Sequence, residues 1–248
     1  MTNKPIKMQG LGNTFVFFLG PYSPSTNEVI KHCETNHVDG LIVVTPLEKK
    51  LVRMKYWNSD GSSAEMCGNG LRCLTRFAVD NNLVNPGAFT VKTDAGKLKV
   101  SWNDKNANRI EVQVGRVKVD KKVIELYGYE FVTANVGNPH AITLVDNIEL
   151  APVKKIGPKV EHDTYFPKRT NVEFVEIDSP HDISMRIWER GVGETLACGT
   201  GMVSAAEACV NKRLATYPLD IHVPGGTARI WVDKAGFSVM RGPAEYID

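Results

Sequence analysis

The 248-residue chain has no long apolar run, no block of like charge and no paired-cysteine motif. Its longest early apolar stretch is Phe15-Val-Phe-Phe-Leu19, far short of the roughly 18 residues a membrane helix needs. That stretch is also too short for a signal peptide's core, and no Ala-x-Ala cleavage pattern follows it, so the sequence predicts a cytoplasmic protein without membrane partners. Thirty Lys and Arg against twenty-eight Asp and Glu leave a formal charge of +2, interleaved along the chain, which argues against nucleic-acid binding. Five cysteines form an odd set with no Cys-x-x-Cys, arguing against both a disulfide framework and a zinc ribbon. The histidines lack metal-ligand spacing, Glu161-His-Asp163 reads as a solvated turn, and no metal site is expected. Gly10-x-Gly12 lacks the third glycine of a dinucleotide fingerprint, and no Gly-Lys-Ser/Thr loop is present.

What the chain does contain is a repeat. Met54-Lys-Tyr-Trp57 matches Met185-Arg-Ile-Trp188, and thirteen residues after each Met stands Cys-Gly-x-Gly, at Cys67-Gly-Asn-Gly70 and Cys198-Gly-Thr-Gly201. The offset is 131, while Gly12-Asn13 and Gly137-Asn138 lie 125 apart and Gly96 and Gly226 lie 130 apart. A period near half the chain length implies two similar lobes instead of a solenoid. Hydrophobic residues at 42% are enough for a core in each.

Short β-branched or alternating runs at 41–44, 91–100, 110–114, 172–177, 183–188 and 228–232 predict strands. Asp94-Ala-Gly96 and Pro224-Gly-Gly226 predict hairpin turns. One helix is expected per half, over 71–80 and 202–210, each beginning just after its Cys-Gly-x-Gly. Lys118–Lys122 reads as a solvated hairpin, and Cys33, Cys73 and Cys209 as structural. The predicted fold is α+β with two pseudo-symmetric lobes, each a curled, mostly antiparallel sheet around a central helix. The lobes are placed at 1–115 plus about 239–248, with Cys67, and at 116–238, with Cys198; the C-terminal piece is expected to return to the first lobe's sheet.

A cysteine at a glycine-rich helix start meets unpaired N–H groups and the positive end of the helix dipole, which favour a thiolate. The same N–H groups can hold a carboxylate. Two such sulfurs facing one ligand could remove a proton from one side of a carbon and return one from the other, inverting a stereocentre without a cofactor.

Gly10-Leu-Gly-Asn-Thr-Phe15, Trp57-Asn-Ser-Asp-Gly61, Glu65-Met-Cys-Gly-Asn-Gly70, Gly137-Asn-Pro-His-Ala141, Arg169-Thr-Asn-Val172, Glu189-Arg-Gly-Val-Gly-Glu-Thr195, Ala197-Cys-Gly-Thr-Gly201 and Pro224-Gly-Gly226 together resemble the diaminopimelate epimerases, in order and from residue 6 to beyond 240. The resemblance implies a two-lobed isomerase that converts LL-diaminopimelate to the meso form for lysine and peptidoglycan synthesis, without pyridoxal phosphate or metal. It implies Cys67 and Cys198 as the acid-base thiols, with His140 and Glu189 assisting proton handling and ammonium binding. Gly68, Asn69, Gly199 and Thr200 would hold the α-carboxylate. Asn13, Asn58, Asn138, Asn171 and Arg190 would read the distal end, where an Arg fork suits a carboxylate. Family members are often dimers, so a homodimer is expected.

Two departures bear on the substrate. Thr14 stands where the family has an acidic residue in Gly-Asn-Asp-Phe, and Thr35-Asn-His-Val-Asp39 replaces a Gly-x-Gly-x-Asp stretch. Racemisation of another amino acid, histidine for example, is therefore the first alternative. Others are a cysteine hydrolase or acyltransferase, with Cys67 or Cys198 as nucleophile and His140 as base, and a catalytically silent binding protein.

Overall fold

The computed structural model describes residues 5–103 and 106–248, so the start of the lobe expected at 1–115 and its positions 104–105 lie outside the described residues. The chain divides into two compact units, one running to Gln113 and resuming at Arg241–Asp248, the other Val114–Met240.

The first unit opens with β1 (Ile6–Gly10) and β2 (Asn13–Leu19), joined by a two-residue turn in which Leu11 and Gly12 both have positive φ. There follow α1 (Thr26–Asn36), β3 (Gly40–Glu48), β4 (Leu51–Asn58), β5 (Ser63–Ala64), α2 (Gly68–Asp80), β6 (Gly87–Thr93), β7 (Gly96–Trp102) and β8 (Ile110–Gly115). β2 lies parallel to β3, and β4 to β6. The pairs β1–β2, β3–β4, β4–β5, β6–β7 and β7–β8 are antiparallel. The second unit repeats this plan with β9 (Lys118–Leu126), β10 (Tyr129–Asn135), β11 (Pro139–Leu144), α3 (Val153–Glu161), β12 (Asn171–Ser179), β13 (Asp182–Glu189), β14 (Gly193–Thr195), α4 (Gly199–Asn211), β15 (Leu219–Val223) and β16 (Gly226–Val232). β11–β12 and β13–β15 are its parallel pairs, matching β2–β3 and β4–β6. The chain returns through β17 (Ser238–Gly242), and β18 (Glu245–Ile247) pairs antiparallel with β1.

Each sheet curls around a helix buried on nearly all sides. α2 packs on β1, β2, β3, β4 and β7, while α4 packs on β9, β10, β11, β12, β15 and β16. α4 manages this with small side chains, Ala205, Ala206 and Ala208 being almost wholly inaccessible. α2 instead takes a charge inside: Arg72 is fully buried, with donors on Pro243 O and Asn69 Oδ1. Both helices start at the first glycine after their cysteine, three residues earlier than expected, because the cysteine is itself the N-cap.

Each unit also has a second helix that the sequence reading did not foresee. α1 is announced by a capping box between Ser25 and Glu28 and packs Val29 and Cys33 against Val16, Leu41 and Val43. α3 is disguised by Gly157 and Pro158, poor residues for a helix interior. Gly157 is required there because a Cβ would stand 2.6 Å from Trp188, over which the helix lies. Lys118–Lys122 lies in β9, the first strand of an antiparallel hairpin with β10, and its lysines are exposed as expected. One further expectation is corrected. Glu161 is buried at 2% exposure, because it accepts from Trp188 Nε1 at 2.7 Å and from the Gly191 N–H at 2.8 Å. No helix among the described residues is long and apolar enough to cross a membrane.

Candidate active site

In the first unit the β1–β2 turn delivers Asn13 beside the start of α2. Cys67, extended at φ −136° and ψ 120°, caps that helix, its Sγ accepting from the Gly70 N–H at 3.5 Å. The thiol faces Asn13 Oδ1 at 3.6 Å. Asn13 presents its oxygen because its Nδ2 is held by Asp39 Oδ2 at 2.9 Å, an oxygen that also accepts from the backbone N–H and hydroxyl of Thr14. Thr14, the departure noted in the sequence, thus anchors Asp39 instead of bringing a second carboxylate. Asn69 is buried, its Oδ1 accepting from Arg72, so its side chain braces the helix while its N–H stays in the first turn. Asn58 spends its amide on Tyr56 Oη and Ser62 Oγ. Burial pushes the Arg72 guanidinium down to about 10, against the pull of the Cys73 and Cys67 sulfurs.

The second unit places Cys198 at the same helix position, φ −128° and ψ 113°. Its Sγ lies 3.4 Å from Thr200 Oγ1, which accepts from Asn138 Nδ2 at 3.2 Å. Asn138 Oδ1 is 3.2 Å from His140 Nε2, and His140 Nδ1 is 2.6 Å from Glu173 Oε1, with both residues of that last pair fully buried. Glu189 abuts the Cys198 thiol and accepts from Thr195 Oγ1 at 2.5 Å. Burial raises the Glu189 carboxyl above its ordinary range, and neighbouring Glu173 adds to the effect. Burial likewise holds Cys198 well above an ordinary thiol, reinforced by the negative charge of Glu189 and Glu173 and opposed by Thr200 and the Gly201 N–H. The helix start was expected to favour a thiolate; here desolvation and two carboxylates outweigh it, so the proton between Cys198 and Glu189 is strongly retained.

Asn171 pairs in register with His140 and is spent on backbone, donating to Pro139 O and accepting from the Arg190 N–H. Arg190 is thereby fixed at its main chain while its exposed guanidinium gives one bond, from Nη1, to Lys168 O. Each unit therefore gathers its own expected residues, Asn13 with Cys67 and Asn138, His140, Glu189 and Thr200 with Cys198. Asn58 has no hydrogen bond to the Cys67 group. Asp39, Glu173 and Thr195 were missed in the sequence. Asp39 and Glu173 were masked as a loop acid and a strand residue, and only the strand registers bring them to Asn13 and His140. Among the described residues no group of three or more His, Cys, Asp or Glu is placed to hold a metal.

Matched strand registers make the units comparable position by position. Phe15 pairs with Gly40 as His140 pairs with Asn171, and Cys67, Asn69 and Arg72 correspond to Cys198, Thr200 and Val203. Beneath Gly70 of the first unit lie Ile42 and Phe15; beneath Gly201 of the second lies Glu173, partnered by His140. One thiol thus sits over an apolar floor with a cation in its helix, and the other beside two carboxylates and an imidazole.

Solved structures that share this twice-built fold form a class that includes PhzF-family proteins and a hydroxyproline epimerase. A PhzF-family protein from Bacillus anthracis superposes with a TM-score of 0.74 at 16% identity, covering 100% of this chain and 98% of that one. A hydroxyproline epimerase from Agrobacterium vitis gives 0.72 at 13%, covering 98% and 88%; at such identities the likeness is one of fold. Within that class the chain belongs to the diaminopimelate epimerase family, whose sequence model matches residues 6–119 and 132–247. Curated diaminopimelate epimerases from Acetivibrio thermocellus and Desulfitobacterium hafniense are 36% and 35% identical, covering 96% and 98% of this chain and 94% and 95% of theirs. The protein is an isomerase of the epimerase type.

Proposed function

We propose that the enzyme converts LL-diaminopimelate to meso-diaminopimelate by two-base proton exchange, with Cys67 and Cys198 acting on opposite faces of one Cα. The observation that carries this is the repetition of a thiol at the N-cap of the central helix in both units, each within reach of first-turn N–H groups. One cysteine, as thiolate, takes the Cα proton; the other, as thiol, gives its own from the far side, and the two exchange roles for the reverse reaction. The N–H groups of Gly68, Asn69, Gly199 and Thr200 stabilise the α-carboxylate as negative charge spreads onto it. Glu189, against the Cys198 thiol, keeps a proton available at that sulfur, and Arg190 binds the distal carboxylate. The relatives' names support the substrate, and the engaged Thr14 hydroxyl explains how the substrate loop holds together without the family's acidic residue.

Incubation in heavy water with LL-diaminopimelate should place deuterium at Cα as the meso form appears, and alanine at either Cys67 or Cys198 should abolish racemisation. Full turnover in one single-cysteine variant would point to a hydrolase-type nucleophile instead. Exchange with histidine but not diaminopimelate would move the substrate to another amino acid.

A further inference from the structure

We propose that Glu173 is a positioning residue for proton transfer at Cys198, acting through His140, Asn138 and Thr200 to aim a hydroxyl at the sulfur. This rests on Cys198 being one of the acid-base thiols. Glu173 has no counterpart in the first unit, where the floor under the helix is Ile42 and Phe15. Its carboxylate lies under the first turn of α4, so close that a Cβ on Gly201 would be 2.7 Å from Oε1. There it meets the positive end of the helix. Its other oxygen, Oε2, is buried and has no hydrogen-bond partner among the described residues, so the imidazole at 2.6 Å is its main counter-group. A carboxylate at that distance accepts a hydrogen bond from the Nδ1–H of the ring.

Both ring nitrogens face oxygens. His140 Nε2 faces the oxygen of Asn138, not its nitrogen, and the Asn138 amide then donates to Thr200 Oγ1. With its oxygen accepting from Asn138, the Thr200 hydroxyl has its hydrogen left for Cys198 Sγ at 3.4 Å, which stabilises a thiolate there. With the amide turned the other way, its nitrogen to the ring and its oxygen to Thr200, the hydroxyl would donate away from the sulfur and accept from a thiol. No proton passes through the amide; its orientation alone couples the Glu173–His140 pair to the sulfur. The charged groups bearing on Cys198 are Glu173 on β12 and Glu189 on β13, with His140 on β11 linked through Asn138.

Two routes from Glu173 to Cys198 give opposite signs in Glu173→Gln. Removing its direct negative field would ease thiolate formation, whereas loss of the oriented chain would hinder it. The pH dependence of iodoacetamide alkylation, read separately at Cys198 and Cys67 by peptide mass spectrometry, separates them. The Cys198 profile should move to higher pH, making alkylation about tenfold slower at neutral pH for a displacement of one unit, with Cys67 unchanged. Thr200→Val should move Cys198 in the same direction, Thr200→Ser should restore it, and Glu173→Gln added to Thr200→Val should give no further upward displacement. A Cys198 profile that stays in place, moves to lower pH, or shifts equally with Cys67 overturns the proposal. Should Glu173→Gln fail to fold, an unmoved Cys198 profile in Thr200→Val does the same. Undiminished Cα exchange in Cys198→Ala would instead remove the two-thiol mechanism, whatever the alkylation profiles show.

Discussion

At Glu189 a single hydrogen bond opposes the effect of burial. Its carboxyl is raised by burial first and by Glu173 next, and the 2.5 Å bond from Thr195 Oγ1 works against both. Thr195→Val removes that opposition, so Glu189 should hold its proton to still higher pH. If the carboxylate form is needed, the acid limb of the kcat/KM profile should move to higher pH with little change on the alkaline side. A limb that stays in place would show that another group controls it. The cysteines stood out through the internal repeat, and Asn138 and His140 only through the family resemblance. Glu173 did not, because a Glu within Val172-Glu-Phe-Val175 looks like the solvent side of an alternating strand. In fact β12 is covered on both faces, and the partner that makes burial tolerable is 33 residues away on β11.

At the level of elements, the central helices tolerate no extra atoms at their third positions, but for different reasons. A Cβ at Gly70 would first meet the flexible ends of Ile42 at 2.8 Å and Met54 at 3.2 Å. At Gly201 it would meet the Glu173 carboxylate at 2.7 Å, and that group is held by His140. Both alanine variants should melt lower, by an overpacking penalty of about 1–3 kcal/mol. Gly201→Ala should also lose far more kcat than Gly70→Ala, since it pushes on a polar chain ending at Cys198. Equal kcat losses in the two variants would contradict this. The sequence showed α2 and α4 by amphipathicity or small-residue content, and the hairpins by Gly96 and Gly226. It hid α1 behind a polar composition with only Val29 and Cys33 buried, and α3 behind Gly157, which leaves room for Trp188, and Pro158.

For the molecule as a whole, the thiols outside the site form an alkaline liability. Burial lifts Cys33 to about 11 and Cys73 and Cys209 to about 12, from an ordinary 9.0. Between these limits the unfolded chain has released protons that the native state still binds, so stability is intact below the unfolded value and falls as pH rises. Melting temperature should therefore decline from about pH 8.5 to about 10.5, beyond the loss expected of surface lysines. A flat curve over that span would mean these sulfurs are not sealed from water.

The route of the backbone imposes an order of assembly. The strand that closes the edge of the first sheet next to β1 comes from residues that follow all of 114–240. During synthesis the second unit has its whole sequence available while the first still lacks β18 and the Pro243 and Ala244 carbonyls that receive Arg72 and Arg76. The half that leaves the ribosome first is thus the half that is finished last, its Arg72 and Arg76 waiting for these two carbonyls until the tail arrives.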